Sequence, residues 1–570
     1  MMKRVFAILI LLALIACSKK TKSVDDPEPV DPDPPVVPAI DPPVANTIGF
    51  FLDDWSPRNF TTPASTDLAL PPAAATATVN IDAGTVITKI PRSVFGQNAN
   101  SWMTQIVTEA PLMTSLKNLQ PSVIRFPGGS ISDIYFWNTS WPDKPATAPA
   151  GHLDADGVLV PDPYWYGRNN DGWTISVDNY YNLLQQTGAQ GMITVNYGFA
   201  RYGTSDDPVA TAAHLAADWV RYDNGRTKYW EIGNETNGTW EAGYRIDPAL
   251  NKDGQPAIIT GELYGRHVQV FVDSMKKAAA ETGKPIFISA YMLEKPAQGW
   301  QTATDKGWNA GVLASSNNKA DYYTIHSYYT NYKTNASATE VLNTATTVTT
   351  GMAEYMRAEF TKYGATTKPI ALTEWNITSE GSMQQVSVVN GMHASILLAE
   401  AIKNKYGQTS RWDLANGWSS GNDHGLFDQG DEPGGTKWNP RPAFYYMYYM
   451  GQFTGDRMLA TTASADLLAY GSSFTSGETG AMIVNKSTSN KVTAITIKNV
   501  VKPAKIWWYV LTGDTDNGEF SRKVLVNGSG PTAGTGGPAG YKTIRANSAA
   551  VNGEIKIDVP ARSVVYLVVK

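Results

Sequence analysis

The chain has 570 residues, 42% of them hydrophobic and 17% charged, and its 47 Lys plus Arg against 52 Asp plus Glu give a formal net charge of -5. That length exceeds one average domain, the composition excludes disorder over most of it, and the lack of a basic excess argues against nucleic-acid binding. A single cysteine excludes an internal disulfide and any Cys-based metal centre.

The cysteine sits where a processing signal would place it. Met1–Arg4 carries two positive charges, Val5–Ala16 is an unbroken apolar run, and Leu14-Ile15-Ala16-Cys17 closes it with small residues. Residues 1–16 read as a secretory signal, too short for an ordinary spanning helix. The tetrapeptide resembles a bacterial lipobox, which implies lipidation at Cys17 and a membrane contact made only through that anchor. Residues 17–47 read as the attachment point and a linker: between Asp25 and Pro43, eight prolines and six acidic residues occupy nineteen positions, a composition that favours extended chain. The segment 48–92 is expected to join the C-terminal domain in part, through a strand at Thr76–Ile90.

From there strand-like runs alternate with helix-length stretches, the pattern of parallel strands with helical crossovers. The runs are Ser93–Asn98, Ser122–Phe126, Gly191–Tyr197, Lys228–Ile232, Ile286–Ala290, Tyr322–His326, Pro369–Glu374 and a weaker Arg411–Trp418. Eight such strands predict a (β/α)8 TIM barrel over 93–450, with helices at Thr211–Arg221, Leu263–Ala280 and Val348–Tyr363. A doubly wound sheet usually carries a Gly-rich phosphate turn after its first strand, and no such motif occurs. Over 451–570 the runs become short and alternating: Ala481–Val484, Thr493–Ile497, Ile506–Leu511, Val524–Val526, Ile555–Val559 and Val564–Val569. They predict a C-terminal antiparallel β-sandwich. The fold class is therefore α/β with an appended sandwich.

The chemistry lies at two strand ends. Tyr229-Trp230-Glu231-Ile232-Gly233-Asn234-Glu235 ends the fourth run and Ile370-Ala371-Leu372-Thr373-Glu374-Trp375-Asn376 the seventh. Strand C-termini in a barrel converge on one cleft, so Glu235 and Glu374 can face each other, the minimal equipment for glycoside hydrolysis. The six histidines are scattered without HxH or HExxH spacing, which predicts no metal centre, and no cofactor is expected.

Five motifs in chain order, Phe95-Gly96-Gln97-Asn98, Ile124-Arg125-Phe126-Pro127-Gly128-Gly129, the Glu235 stretch, Ile325-His326-Ser327-Tyr328 and the Glu374 stretch, resemble retaining glycoside hydrolases of clan A. The resemblance is strongest to family 51, typified by α-L-arabinofuranosidases, with family 44 endoglucanases and family 39 glycosidases nearby. It implies Glu235 as acid/base, Glu374 as nucleophile and Asn234 as a donor to the sugar 2-hydroxyl. Arg125 is expected to keep Glu374 ionised. His326, Asn98, Tyr328 and Trp375 are expected at the substrate. Two positions depart from the family pattern: Ser130 stands where Asn is typical, and Thr373 where Asp is common. The expected partner is a polysaccharide or oligosaccharide. An endo-β-glucanase or xyloglucanase-like enzyme is the alternative within the class, and a non-catalytic carbohydrate-binding lipoprotein is the alternative outside it. Glu235 is expected to have its pKa raised by the charge of Glu374.

Overall fold

The computed structural model describes residues 36–43, 47–418, 424–464, 466–514 and 518–570. Cys17, the signal segment and most of the acidic proline-rich stretch lie outside the described residues. No helix among the described residues is long and apolar enough to cross a membrane.

Eight parallel strands close a barrel: β1 (Gly96–Asn98), β2 (Val123–Phe126), β3 (Gln190–Val195), β4 (Thr227–Ile232), β5 (Phe287–Tyr291), β6 (Tyr322–Tyr328), β7 (Ile370–Asn376) and β8 (Gln408–Arg411). A helix follows each: α1 (Ala110–Leu119), α2 (Val177–Thr187), α3 (Pro208–Asp223), α4 (Gly261–Thr282), α5 (Ala303–Ser315), α6 (Ala338–Lys362), α7 (Val388–Lys403) and α8 (Pro442–Phe453). Local chemistry sets the helix starts. The side chains of Ser176, Asp207, Thr260 and Ser337 accept backbone N–H groups at the N-termini of α2, α3, α4 and α6, and Thr302 and Asp305 cap α5 reciprocally.

The eighth strand differs from its expected span. Gln408–Arg411 lines the barrel with four polar residues, each fully buried, so no apolar run marks it. The expected segment Arg411–Trp418 overlaps it only at Arg411, and Ala415–Asn416 pairs instead with Phe427–Asp428 in a separate ribbon.

The barrel floor is closed by a single turn, Gly49–Leu52. Phe50 stacks on Phe287 at 3.7 Å, and Phe51 packs at 4.9 Å from Tyr229 and edge-on to Tyr322 at 5.5 Å. These aromatics form an apolar plug with Val123, Met192 and Ala371.

The C-terminal strands form an 11-stranded sheet that also takes in Ala77–Lys89 and Ser65–Asp67. Its pairing is antiparallel except where those two segments enter, alongside Lys491–Lys498 and Ala546–Ala550 respectively, both in parallel. Its own core includes Val79, Ile81, Leu459, Ile483, Trp508 and Leu567. It docks on α7 and α8, where the Tyr566 hydroxyl lies 2.6 Å from Ser395 Oγ and donates to Tyr446 O, and where Tyr470 donates to Glu400.

Candidate active site

Arg125, at the C-terminal end of β2, is fully buried and organises the barrel mouth. Its Nε donates to Glu231, Nη1 to Glu374 Oε1 at 2.9 Å and to Asn98 Oδ1 at 3.0 Å, and Nη2 to Asn234 Oδ1 at 3.0 Å. Burial alone would lower the guanidinium pKa, but the charges of Glu231 and Glu374 outweigh it and raise it. The Pro-Gly-Gly turn after β2 explains its glycines. Both have positive φ, a Cβ on Gly128 would stand 3.2 Å from Arg125 and Asn98, and one on Gly129 would strike the Trp412 ring at 2.7 Å.

Glu374 lies inside β7. Besides Arg125 it accepts the Tyr328 hydroxyl on Oε2 at 3.0 Å. Glu235 follows β4 through Gly233, and its own φ of 38° is unusual for a non-glycine residue. Such a conformation costs on the order of 1–3 kcal/mol and needs outside support. Asp133 supplies it nearby by accepting the backbone N–H of Asn234 at 3.1 Å. One carboxylate oxygen of Glu235, one of Glu374 and one ring nitrogen of His326 all lie within 4.8 Å of one another.

His326 sits between the acids but belongs mainly to Glu235: its Nδ1 lies 2.9 Å from Glu235 Oε1 and 3.9 Å from Glu374 Oε2, while Nε2 meets Thr373 Oγ1 at 3.0 Å. This pairing reverses the expected shift at Glu235. Burial pushes its pKa up, but the hydrogen bond and charge of His326, with Arg125 and the Trp240 indole, hold it below the usual glutamate value. Burial would lower the pKa of His326, but Glu374 and the bond to Glu235 raise it above the ordinary histidine value. The Glu235–His326–Glu374 trio is the one cluster among the described residues with metal-ligand spacing. The Arg125 guanidinium and a readily protonated imidazole already meet these carboxylates, which disfavours a further cation.

Two expected substrate contacts are corrected. Trp375 is 0% exposed and belongs to the main core. Strand alternation that turns Glu374 inward turns its neighbour outward. Asn98 is also fully buried: Oδ1 accepts Arg125, and Nδ2 donates to the carbonyls of Thr373, Ser410 and Arg411. It braces β1 against β7 and β8 with no polar group left for a sugar. Tyr328 serves Glu374 directly.

Several site residues were missed in the sequence. Glu231, held by Arg125 and by Thr194 Oγ1 at 2.6 Å, has its pKa pushed up by burial but lowered overall by Arg125. A carboxylate at an inward position in mid-strand was its signal. Asp133 and Glu241 gather from loops after β2 and β4, where no periodicity marks them.

Residues 115–346 match the family model of the Alpha-L-arabinofuranosidase 1 domain. An intracellular exo-α-(1→5)-L-arabinofuranosidase of Halalkalibacterium halodurans is 25% identical over 227 residues, and the aligned region spans 38% of each chain. Among solved structures, the α-L-arabinofuranosidase of Thermotoga maritima in complex with arabinose aligns with a TM-score of 0.58 at 16% identity, covering 86% of this chain and 99% of that one. A family 44 xyloglucanase of Paenibacillus polymyxa aligns with a TM-score of 0.55 at 12% identity, covering 87% and 100%. These likenesses carry the fold, a barrel with an appended β-sandwich.

Proposed function

We propose that this chain is a retaining glycoside hydrolase, α-L-arabinofuranosidase-like, that acts on plant cell-wall polysaccharide. The observation that carries the reading is the close approach of the Glu235 and Glu374 carboxylates, within 4.8 Å at their nearest ligand atoms. Oxygens this close leave little room for the water that inverting enzymes admit between carboxyl groups about 6.5–9.5 Å apart, and favour the direct attack of retaining enzymes, whose groups stand about 5–5.5 Å apart.

Glu374 has the surroundings of an anion, and Glu235, held low by His326, shares its proton with that imidazole. Glu374, hydrogen-bonded by Arg125 and Tyr328, is the anionic nucleophile: it forms an ester bond to the anomeric carbon as the bond to the leaving oxygen breaks. Glu235 gives that oxygen its proton. A protonated His326 donates through Nδ1 to Oε1 and through Nε2 to Thr373 Oγ1, which leaves Oε2 of Glu235 for the catalytic proton. In the second half-reaction Glu235 takes a proton from water, the hydroxide adds to the anomeric carbon, and Glu374 departs as a carboxylate.

A polymeric substrate is supported by the barrel rim. The four tryptophans more than half exposed among the described residues, Trp141, Trp173, Trp240 and Trp300, all lie on loops after β2, β4 and β5 at the C-terminal face, and Tyr332, 65% exposed, follows β6. Exposed aromatic faces suit sugar rings. That spread over several loops also favours a second reading, endo-cleavage of a β-glucan or xyloglucan. Product analysis on arabinoxylan, arabinan and β-glucan tests both: released arabinose with retained anomeric configuration supports the first, mixed oligosaccharides support the second, and no product on any substrate supports a non-catalytic carbohydrate-binding role. The resemblance of Leu14-Ile15-Ala16-Cys17 to a lipobox supports a lipid-anchored location in the bacterial envelope, tested by mass spectrometry of the N-terminal peptide for an acylated Cys17.

A further inference from the structure

Asp133, Glu231, Glu235, Glu241 and Glu374 gather around the barrel mouth, and among the described residues Arg125 and His326 are the cationic groups paired with them. Arg125 pairs with Glu231 and Glu374, and His326 with Glu235. Asp133 is satisfied by the backbone N–H groups of Tyr197, Gly198 and Asn234. Glu241 has neither arrangement. It is 2% exposed, its Oε1 accepts Ser130 Oγ and Asn234 Nδ2, both at 2.9 Å, and its Oε2 is buried with no partner. A buried carboxylate without a cation is strongly disfavoured against its protonated form.

We propose that Glu241 is maintained as a neutral acid and is a positioning residue that orients the amide of Asn234. The amide is pinned at both ends: Oδ1 takes Arg125 Nη2, and one N–H goes to Glu241. A flip would set its NH2 against the guanidinium and lose both bonds. Held this way, Asn234 keeps its second N–H available beside Glu235. An ionised Glu241 would also set a negative charge against the acid/base and bind its proton more tightly. Burial, and then the charges of Asp133 and Glu235, raise the Glu241 pKa in the same sense. The groups that face it are Ser130 after β2, Asp133 beside that turn, and Asn234 and Glu235 after β4.

The inference rests on the proposed hydrolase reading for its kinetic part, and its test separates the two. Infrared difference spectra of wild type minus Glu241→Gln at pH 7 should show the carbonyl band of a protonated carboxylic acid, whatever the enzyme hydrolyses. A carboxylate band instead would overturn the proposal. Kinetically, with folding checked by thermal unfolding, Glu241→Ala should lower kcat by about 10- to 100-fold, the scale of a misplaced site group. Glu241→Gln, neutral and still an acceptor, should return to within about threefold of wild type with a superimposable pH profile. The double variant Asn234→Ala/Glu241→Ala should be no slower than Asn234→Ala alone. Additive losses, or a Gln variant as poor as Ala, would overturn the positioning role. Absence of hydrolysis by wild type would overturn the hydrolase reading and leave the infrared result standing.

Discussion

His326 places Nδ1 2.9 Å from Oε1 of Glu235 and a full ångström farther from Glu374. The acid/base candidate and its neighbouring imidazole therefore hold a proton in common, and the nucleophile candidate depends on Arg125 and Tyr328 instead. The two titrate as a pair. NMR titration of His326 should give a pKa above the ordinary 6.5, and Glu235→Gln should lower it, because the carboxylate charge and hydrogen bond are among the causes that raise it. An unchanged value in that variant would show the pairing to be absent in solution.

Removing the acid separates leaving groups. Glu235→Ala should reduce turnover of substrates with poor leaving groups by about 10²- to 10⁴-fold, the range for general acid catalysis. Activated aryl glycosides should lose less and accumulate a covalent intermediate, visible by intact-protein mass spectrometry. Equal loss on both classes would remove Glu235 from the acid/base role.

At Glu374 the test is shape. Glu374→Gln fills the same space and should abolish turnover without rescue by azide, whereas Glu374→Gly should yield a glycosyl azide of inverted configuration. A Gln variant retaining more than about a tenth of wild-type rate contradicts a covalent nucleophile, whose loss costs several powers of ten.

Asp133 links the site to pH-dependent stability. Burial raises its pKa from 3.8 to about 7 despite three backbone N–H donors. A carboxyl whose folded pKa is raised contributes stability that is fully present below its unfolded pKa and is lost as pH rises through the folded one. Relative to wild type, Asp133→Asn should therefore gain stability between pH 4 and pH 7, by at most about 4 kcal/mol. Denaturant unfolding at the two pH values measures the difference, and a constant or widening deficit would mean the group is ionised throughout.

The floor plug is separable from the chemistry. Phe51 is 2% exposed, and Phe51→Ala should cost about 3–5 kcal/mol, while kcat per folded molecule stays the same because the site lies at the other end of the strands. A selective loss of kcat would show that the floor communicates with the mouth.

The strand count, the barrel and the two carboxylates were legible in the sequence because parallel strands buried on both faces read as apolar runs, and strands four and seven end in carboxylates within short, distinctive motifs. Runs with alternating character marked most of the sandwich in the same way. Tertiary structure alone decided the rest. Gln408–Arg411 became a barrel strand although every residue is polar, because the barrel interior near the mouth is a hydrogen-bonded network with no apolar pattern to read. Gly49–Leu52 became the floor through contacts with strands that begin some 70 to 320 positions later. The partner of His326 was settled by an ångström in space, and so was the sign of the pKa shift at Glu235. Asp133 joined the site from the short 3-10 turn Ser130–Ile134 and Glu241 from an irregular loop, segments too short or aperiodic to read, so only the folded chain brings the acids together.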